Sequence, residues 1–149
     1  MSQRVQHTAV VPYTSQEMFQ LVNDIPLYAT FLPGCLDSEV LEATDQQVTA
    51  RLRVGQAGLS KSFVTRNTLS PPDKIEIALV EGPFRSLTGE WTFQALNDTS
   101  CKVSLDLEFE LENGFLKSVF SKIFEKANQQ VVDAFVKRAA EIYGKRSLD

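Results

Sequence analysis

The segment at 103–111 alternates without a break, with Val103, Leu105, Leu107, Phe109 and Leu111 set against Lys102, Ser104, Asp106, Glu108 and Glu110. Side chains of a strand point to opposite faces with a period of two, so this strand has one face in a core and the other in water. After Asn113-Gly114 the period becomes helical. Leu116, Val119, Phe120, Ile123, Phe124, Ala127, Val131, Ala134, Phe135 and Ile142 recur at steps of three and four over some thirty residues. At ~1.5 Å per residue such a helix is ~45 Å long, enough to cross a whole sheet. A one-faced strand joined to a long helix rich in Phe constrains the chain to a sheet that lays its apolar face on that helix.

The residues before this unit supply the sheet. Val5, His7, Ala9 and Val11 alternate with polar residues as a first strand that Pro12 ends. Thr14 or Ser15 caps a helix with Glu17 in its first turn and Met18, Leu21 and Val22 on its apolar face, and Pro26 ends or redirects it. A second short helix is expected over 28–32, stopped by Pro33-Gly34. From Cys35 the period is two, with Val48, Ala50, Leu52 and Val54 on one face. Gly55 to Gly58 forms a hairpin turn into a strand over 59–69, and Pro71-Pro72-Asp73 separates that strand from the next, at 74–81. Gly82-Pro83 turns into a strand over 87–96, and Asn97-Asp98 turns again. Consecutive strands with short turns make an antiparallel sheet. The fold class is therefore α+β, a curved sheet on a long C-terminal helix, with two short helices after the first strand placed to close one end.

The 149 residues suit one domain spanning 1–149. A formal charge of -4 argues against wholesale attraction to nucleic acid, so DNA is not an expected partner and any basic surface is regional. No stretch approaches the ~18 apolar residues of a membrane span, and the start has no apolar leader core, so a cytoplasmic chain is expected. Cys35 and Cys101 are too few and too far apart for a zinc framework, and are expected to be free thiols. His7 is the only histidine, and no Ser, Cys or acid–base partner is placed with it; neither a catalytic constellation nor a metal site is expected.

What remains are apolar and basic patterns. Phe31, Leu32, Phe63, Phe84, Trp91, Phe93, Phe120, Phe124 and Phe135 either line a tunnel for an apolar ligand or fill a core. Arg66, flanked by Thr65 and Asn67 on a strand, either pairs with Glu81 or Glu90 or meets a ligand oxygen. Lys117, Lys122 and Lys126 interleave with Phe115, Leu116, Val119, Phe120, Ile123 and Phe124 in a basic amphipathic pattern, suited to anionic lipid, to RNA phosphates, or simply to solvating a core helix.

Three segments carry a resemblance: Tyr28-Ala29-Thr30-Phe31-Leu32-Pro33-Gly34-Cys35, Lys61-Ser62-Phe63-Val64-Thr65-Arg66-Asn67, and the run from Glu81-Gly82-Pro83-Phe84 through Gly89-Glu90-Trp91-Thr92-Phe93. With them the chain resembles the coenzyme-Q-binding START-like (polyketide cyclase/dehydrase-like) family, closest to its bacterial ribosome association toxin (RatA) branch. The resemblance implies a helix-grip (START/Bet v 1-like) fold with an apolar tunnel and no required cofactor. It implies either of two functions. One is binding ubiquinone or a related isoprenoid lipid in support of respiration, with peripheral contact at the inner face of the membrane. The other is binding the large (50S) ribosomal subunit, which blocks subunit association and translation initiation. It favours the tunnel for part of the aromatic set. It also implies a Trp at position 34 in mitochondrial-type relatives, so that Gly34 would widen or reshape the mouth.

Overall fold

The computed structural model describes residues 3–56, 58–112 and 117–148, with the side chains of Lys117 and Ser118 outside the description. The chain runs β1 (Gln3–Val11), α1 (Ser15–Asn23), a 3-10 helix (Ile25–Thr30), β2 (Cys35–Ala43), β3 (Gln47–Gln56), β4 (Leu59–Ser70), β5 (Lys74–Glu81), β6 (Phe84–Ala95), β7 (Cys101–Leu111) and α2 (Lys117–Tyr143). The seven strands form one antiparallel sheet in the order β1-β7-β6-β5-β4-β3-β2. β2 through β7 are a meander of hairpins. The first strand crosses to the far edge beside β7, so α1 and the 3-10 helix span the sheet from one edge to the other.

The period-two reading of 103–111 holds residue by residue: Cys101, Val103, Leu105, Leu107, Phe109 and Leu111 are buried and the residues between them are not. Facing them, α2 buries Phe120, Phe124, Val132, Phe135 and Ala139. Val119 and Ile142, counted in the apolar stripe from sequence, are instead about half exposed, at 50% and 46%. Val119 stands one residue, or ~100° of helix rotation, off the stripe through Phe120. Position 35 onward holds two strands rather than one, since β2 and β3 form a hairpin. β2 is an edge strand wet on both faces, and without a buried face it shows no alternation to read.

The core is two aromatic clusters strung along α2. One gathers Phe19, Trp91, Phe93 and Phe135 with Met18, Val103 and Val132; the other gathers Phe63, Phe84, Phe109, Phe120 and Phe124 with Leu87 and Leu107. Most of the ring pairs are edge-on or tilted, Phe109–Phe124 at 4.7 Å and Trp91–Phe135 at 5.3 Å between centroids.

Thr14 is the cap of α1. Its hydroxyl accepts from the Glu17 amide at 3.1 Å while the Glu17 carboxylate accepts from the Thr14 amide at 2.9 Å, a closed capping box. Arg146, which the sequence offers only as a favourable charge at the end of α2, reaches the same carboxylate with two bonds of 2.7 and 3.0 Å and lies over the Tyr13 ring. The Tyr143 hydroxyl donates to the Glu17 carbonyl and that of Tyr13 to the Gly144 carbonyl. The start of α1 is thereby fastened to the end of α2.

The hydrogen bonds from Arg146 hold the Glu17 carboxyl below its ordinary range. A carboxyl with a depressed folded-state pKa stabilises the fold fully above its unfolded pKa and loses that contribution as pH falls through the folded value. Glu17→Gln, which can still accept from Thr14, is therefore expected to unfold more easily than the parent at about pH 7, with the difference shrinking towards about pH 3 in paired thermal melts. A difference that grows on acidification would refute the pairing.

Candidate functional site

Between the two aromatic clusters the sheet curves away from α2 and leaves a cavity. Its volume is about 120 Å³. Strands β3 to β7 supply one wall through Ala50, Leu52, Val54, Phe63, Ile75, Ile77, Leu87, Trp91, Leu105 and Leu107. Helix α2 supplies the other through Phe124, Ala127, Asn128, Val131 and Phe135. Val22, Ile25, Tyr28, Leu32, Pro33 and Cys35 close the end. Pro33 is exposed as well as lining, so the cavity meets the surface there. The aromatic cluster at 28–35 is thus the rim of an apolar cavity.

Five of the sequence-predicted residues are in the wall: Leu32, Phe63, Trp91, Phe124 and Phe135. The others are not. Phe31 backs the wall, edge-on to Phe135 at 5.2 Å with the Arg138 guanidinium 5.4 Å above its ring. Phe84 packs on Phe63, Phe109 and Phe124, Phe93 on Phe19 and Trp91, and Phe120 on Phe124, all as core. The set is therefore divided between residues that border the cavity and residues that fill the core.

Arg66 is a correction. It is exposed on the outer face of β4, opposite Thr49 and Ala78, and does not reach the cavity. Strand parity decides this, because Phe63, Thr65 and Asn67 are all buried on the inner face. Of its proposed ion partners, Glu90 is held near Lys74 at 3.8 Å, and Glu81 stands in register with Val64. Parity from Phe63 was the signal that picks out Thr65 and Asn67 as the polar wall residues.

Gly34 adopts φ +78°, and a Cβ there would stand 3.0 Å from Ala127 Cβ of α2. Its carbonyl accepts from the Gly55 amide at 3.0 Å. The glycine seats the rim on the helix. Gly34→Ala is expected to lower the unfolding free energy by about 1–2 kcal/mol, read as a lower urea midpoint at unchanged slope.

The turn before β6 is fastened too. Gly82 lies against Phe63, where a Cβ would come within 2.5 Å of that residue's Cβ, and the Pro83 carbonyl accepts from the Glu112 amide. Phe84, 3% exposed, is held in the core.

Tyr28 and Cys35 are the ionisable groups among the described wall residues, and both are kept protonated. Burial pushes the Tyr28 phenol far up, and its hydroxyl donates to the Val22 carbonyl. Burial likewise pushes the Cys35 thiol up, with a weak bond to the Asp37 carbonyl. Cys101, pushed up to about 11 by burial, is packed in the core, and both cysteines are free. His7 stands on β1 opposite Leu105. Among the described residues no group of three His, Cys, Asp or Glu side chains could hold a metal ion, and no helix is long and apolar enough to cross a membrane. Lys122 and Lys126 are exposed on the outer side of α2; Phe115, Leu116 and the Lys117 side chain lie outside the described residues.

Residues 11–136 match the family described as polyketide cyclase / dehydrase and lipid transport. The chain belongs to that family. Within it, the chain is 42% identical to the ribosome association toxin RatA of Escherichia coli K12, over 96% of this chain and 90% of that protein. It is 25% identical to the mitochondrial coenzyme Q-binding protein COQ10 homolog B of Xenopus laevis, over 99% of this chain and 63% of that one. The Zhui aromatase/cyclase of Streptomyces sp. R1128 superposes with a TM-score of 0.79 at 20% identity, covering 98% of this chain and all of that one, which establishes the shared helix-grip fold. The family accounts for the long helix against a curved sheet, and for a cavity held between them.

Proposed function

We propose that this chain is a non-enzymatic binder of an apolar ligand, ubiquinone or a similar polyprenyl lipid, held between sheet and α2 in support of respiration. The observation that carries the reading is the cavity wall, aliphatic and aromatic almost throughout and without a charged side chain among its described residues. An isoprenoid chain gains ~0.8 kcal/mol per buried methylene and asks for no counter-charge. The name of the Xenopus relative supports the quinone. A wall whose phenol and thiol stay protonated offers no general base or nucleophile at neutral pH, which favours carriage over turnover. The ligand would be carried in the cytoplasm and handed over by peripheral contact with the membrane.

Mass spectrometry of the native protein isolated from its own host is expected to find a bound polyprenyl lipid. Protein that is consistently empty, and that also fails to bind added decylubiquinone, would end this reading.

The RatA relatives favour a second reading, in which the chain binds the large (50S) ribosomal subunit and prevents it joining the small one. Lys122 and Lys126, one helical turn apart and exposed, would meet RNA phosphates. Sucrose-gradient sedimentation at low salt is expected to carry the protein with the large subunit. Protein that stays at the top of the gradient, with subunit joining unchanged by an excess of it, would overturn this second role.

A further inference from the structure

The cavity wall is apolar except at a few places, and one of them is unfinished. Asn67 is 8% exposed, lines the cavity from β4, and its Oδ1 has no hydrogen-bond partner. Its cross-strand neighbours are Val48 and Ile77, neither of which has a side-chain donor to offer. Thr65, two residues earlier on the same face and 5% exposed, lies between Ala50 and Leu79. From α2, Asn128 also lines the cavity, its amide fixed by a 2.8 Å bond from Nδ2 to the Phe124 carbonyl. Leaving a buried acceptor unpaired is costly, and a fully apolar residue on this strand would avoid that cost. The cost is recovered if the ligand brings the missing donor.

We propose that Asn67, with Thr65 beside it, is the head-group subsite of the cavity, and that Asn67 Oδ1 accepts a hydrogen bond from a hydroxyl on the ligand's ring. This rests on the reading of the cavity as a quinone-type lipid site, and it specifies the form taken: the reduced, hydroxyl-bearing quinol. A quinone carries only acceptors on its ring, has nothing to donate to Asn67 Oδ1, and pairs with this residue only if the amide turns its Nδ2 into the cavity. A quinol supplies the donor, while its second oxygen and the Thr65 hydroxyl can each donate or accept.

Trp91, the single tryptophan of the chain, stands in the same wall and gives an internal reporter. The test is an anaerobic titration of the full chain with decylubiquinol, decylubiquinone and hexylbenzene, followed by Trp fluorescence and by calorimetry. The quinol is expected to bind about ten-fold more tightly than the quinone. In Asn67→Leu the quinol is expected to lose about ten-fold and the preference to vanish, with hexylbenzene changing less than about two-fold. Asn67→Leu is also expected to unfold at higher urea than the parent, since it removes an orphan acceptor, whereas a purely structural asparagine would be missed. If that variant does not fold, Thr65→Val must show a smaller loss of quinol affinity, about three-fold, with hexylbenzene unchanged. Equal affinity of the parent for quinol and quinone, or a loss shared by hexylbenzene, overturns the subsite. Failure of the parent to bind any of the three probes removes the cavity reading itself, and the subsite with it.

Discussion

Phe135→Ala is expected to lose about 3–5 kcal/mol of unfolding free energy, the largest effect of any single truncation considered for this chain. Phe135 is fully buried, and its ring meets Trp91 at 5.3 Å, Tyr28 at 5.4 Å and Phe31 at 5.2 Å. It joins the rim, the sheet and α2. Because the ring already borders the cavity, its removal merges new space with old, and the surroundings have little reason to collapse into it. Urea unfolding at constant slope is the measurement, and a loss below about 1 kcal/mol would contradict this packing. An apolar ligand that fills the enlarged space should return part of the loss through mass action on the folded state.

Leu52→Trp is expected to abolish ligand binding while leaving the fold standing. Leu52 is half-buried in the wall on β3, opposite Phe63, so the larger ring can extend into the cavity without displacing the core clusters. A ring that takes the place of three or four ligand methylenes removes ~0.8 kcal/mol for each, which amounts to about a hundred-fold in affinity. Titration with decylubiquinone, beside a urea melt, separates the outcomes. Retained affinity with retained stability would show that the ligand lies elsewhere. Under the ribosome-directed reading the same variant should sediment as the parent does, so the two functions are separable with one protein.

How far the sequence could be read depended on the contrast between buried and wet positions. β7 has the greatest contrast, and every residue from Lys102 to Leu111 was placed. The start of α1 could be read to within one residue, Thr14 or Ser15, and the structure places the cap on Thr14; the turn chemistry of Pro71-Pro72-Asp73 and Gly82-Pro83 separated β4, β5 and β6. β2 could not be read as a strand of its own, since both its faces are wet and two register shifts interrupt its pairing with β3. The aromatic residues were recognised as inward-facing, but which of them border empty space depends on the curvature of the sheet against α2, and no periodicity encodes that. Arg66 drew notice as a charge on a strand that alternates between faces, and parity from Phe63 sends it outward. The polar residues that do face the cavity, Thr65 and Asn67, stand beside it and looked ordinary for a strand. The bond from Arg146 to Glu17 joins groups 129 residues apart, which no local pattern announces.

The placement of β1 orders the assembly of the molecule in time. Each pair from β2–β3 to β6–β7 is a hairpin whose closure costs little loop entropy, so the meander can zip from neighbour to neighbour. β1 has no such neighbour: its Arg4 meets Asp106 across 102 residues, and only after β7 exists is there an edge to receive it. Pairing of β1 therefore requires β7 in place, and a sheet without β1 has an open seam along β7.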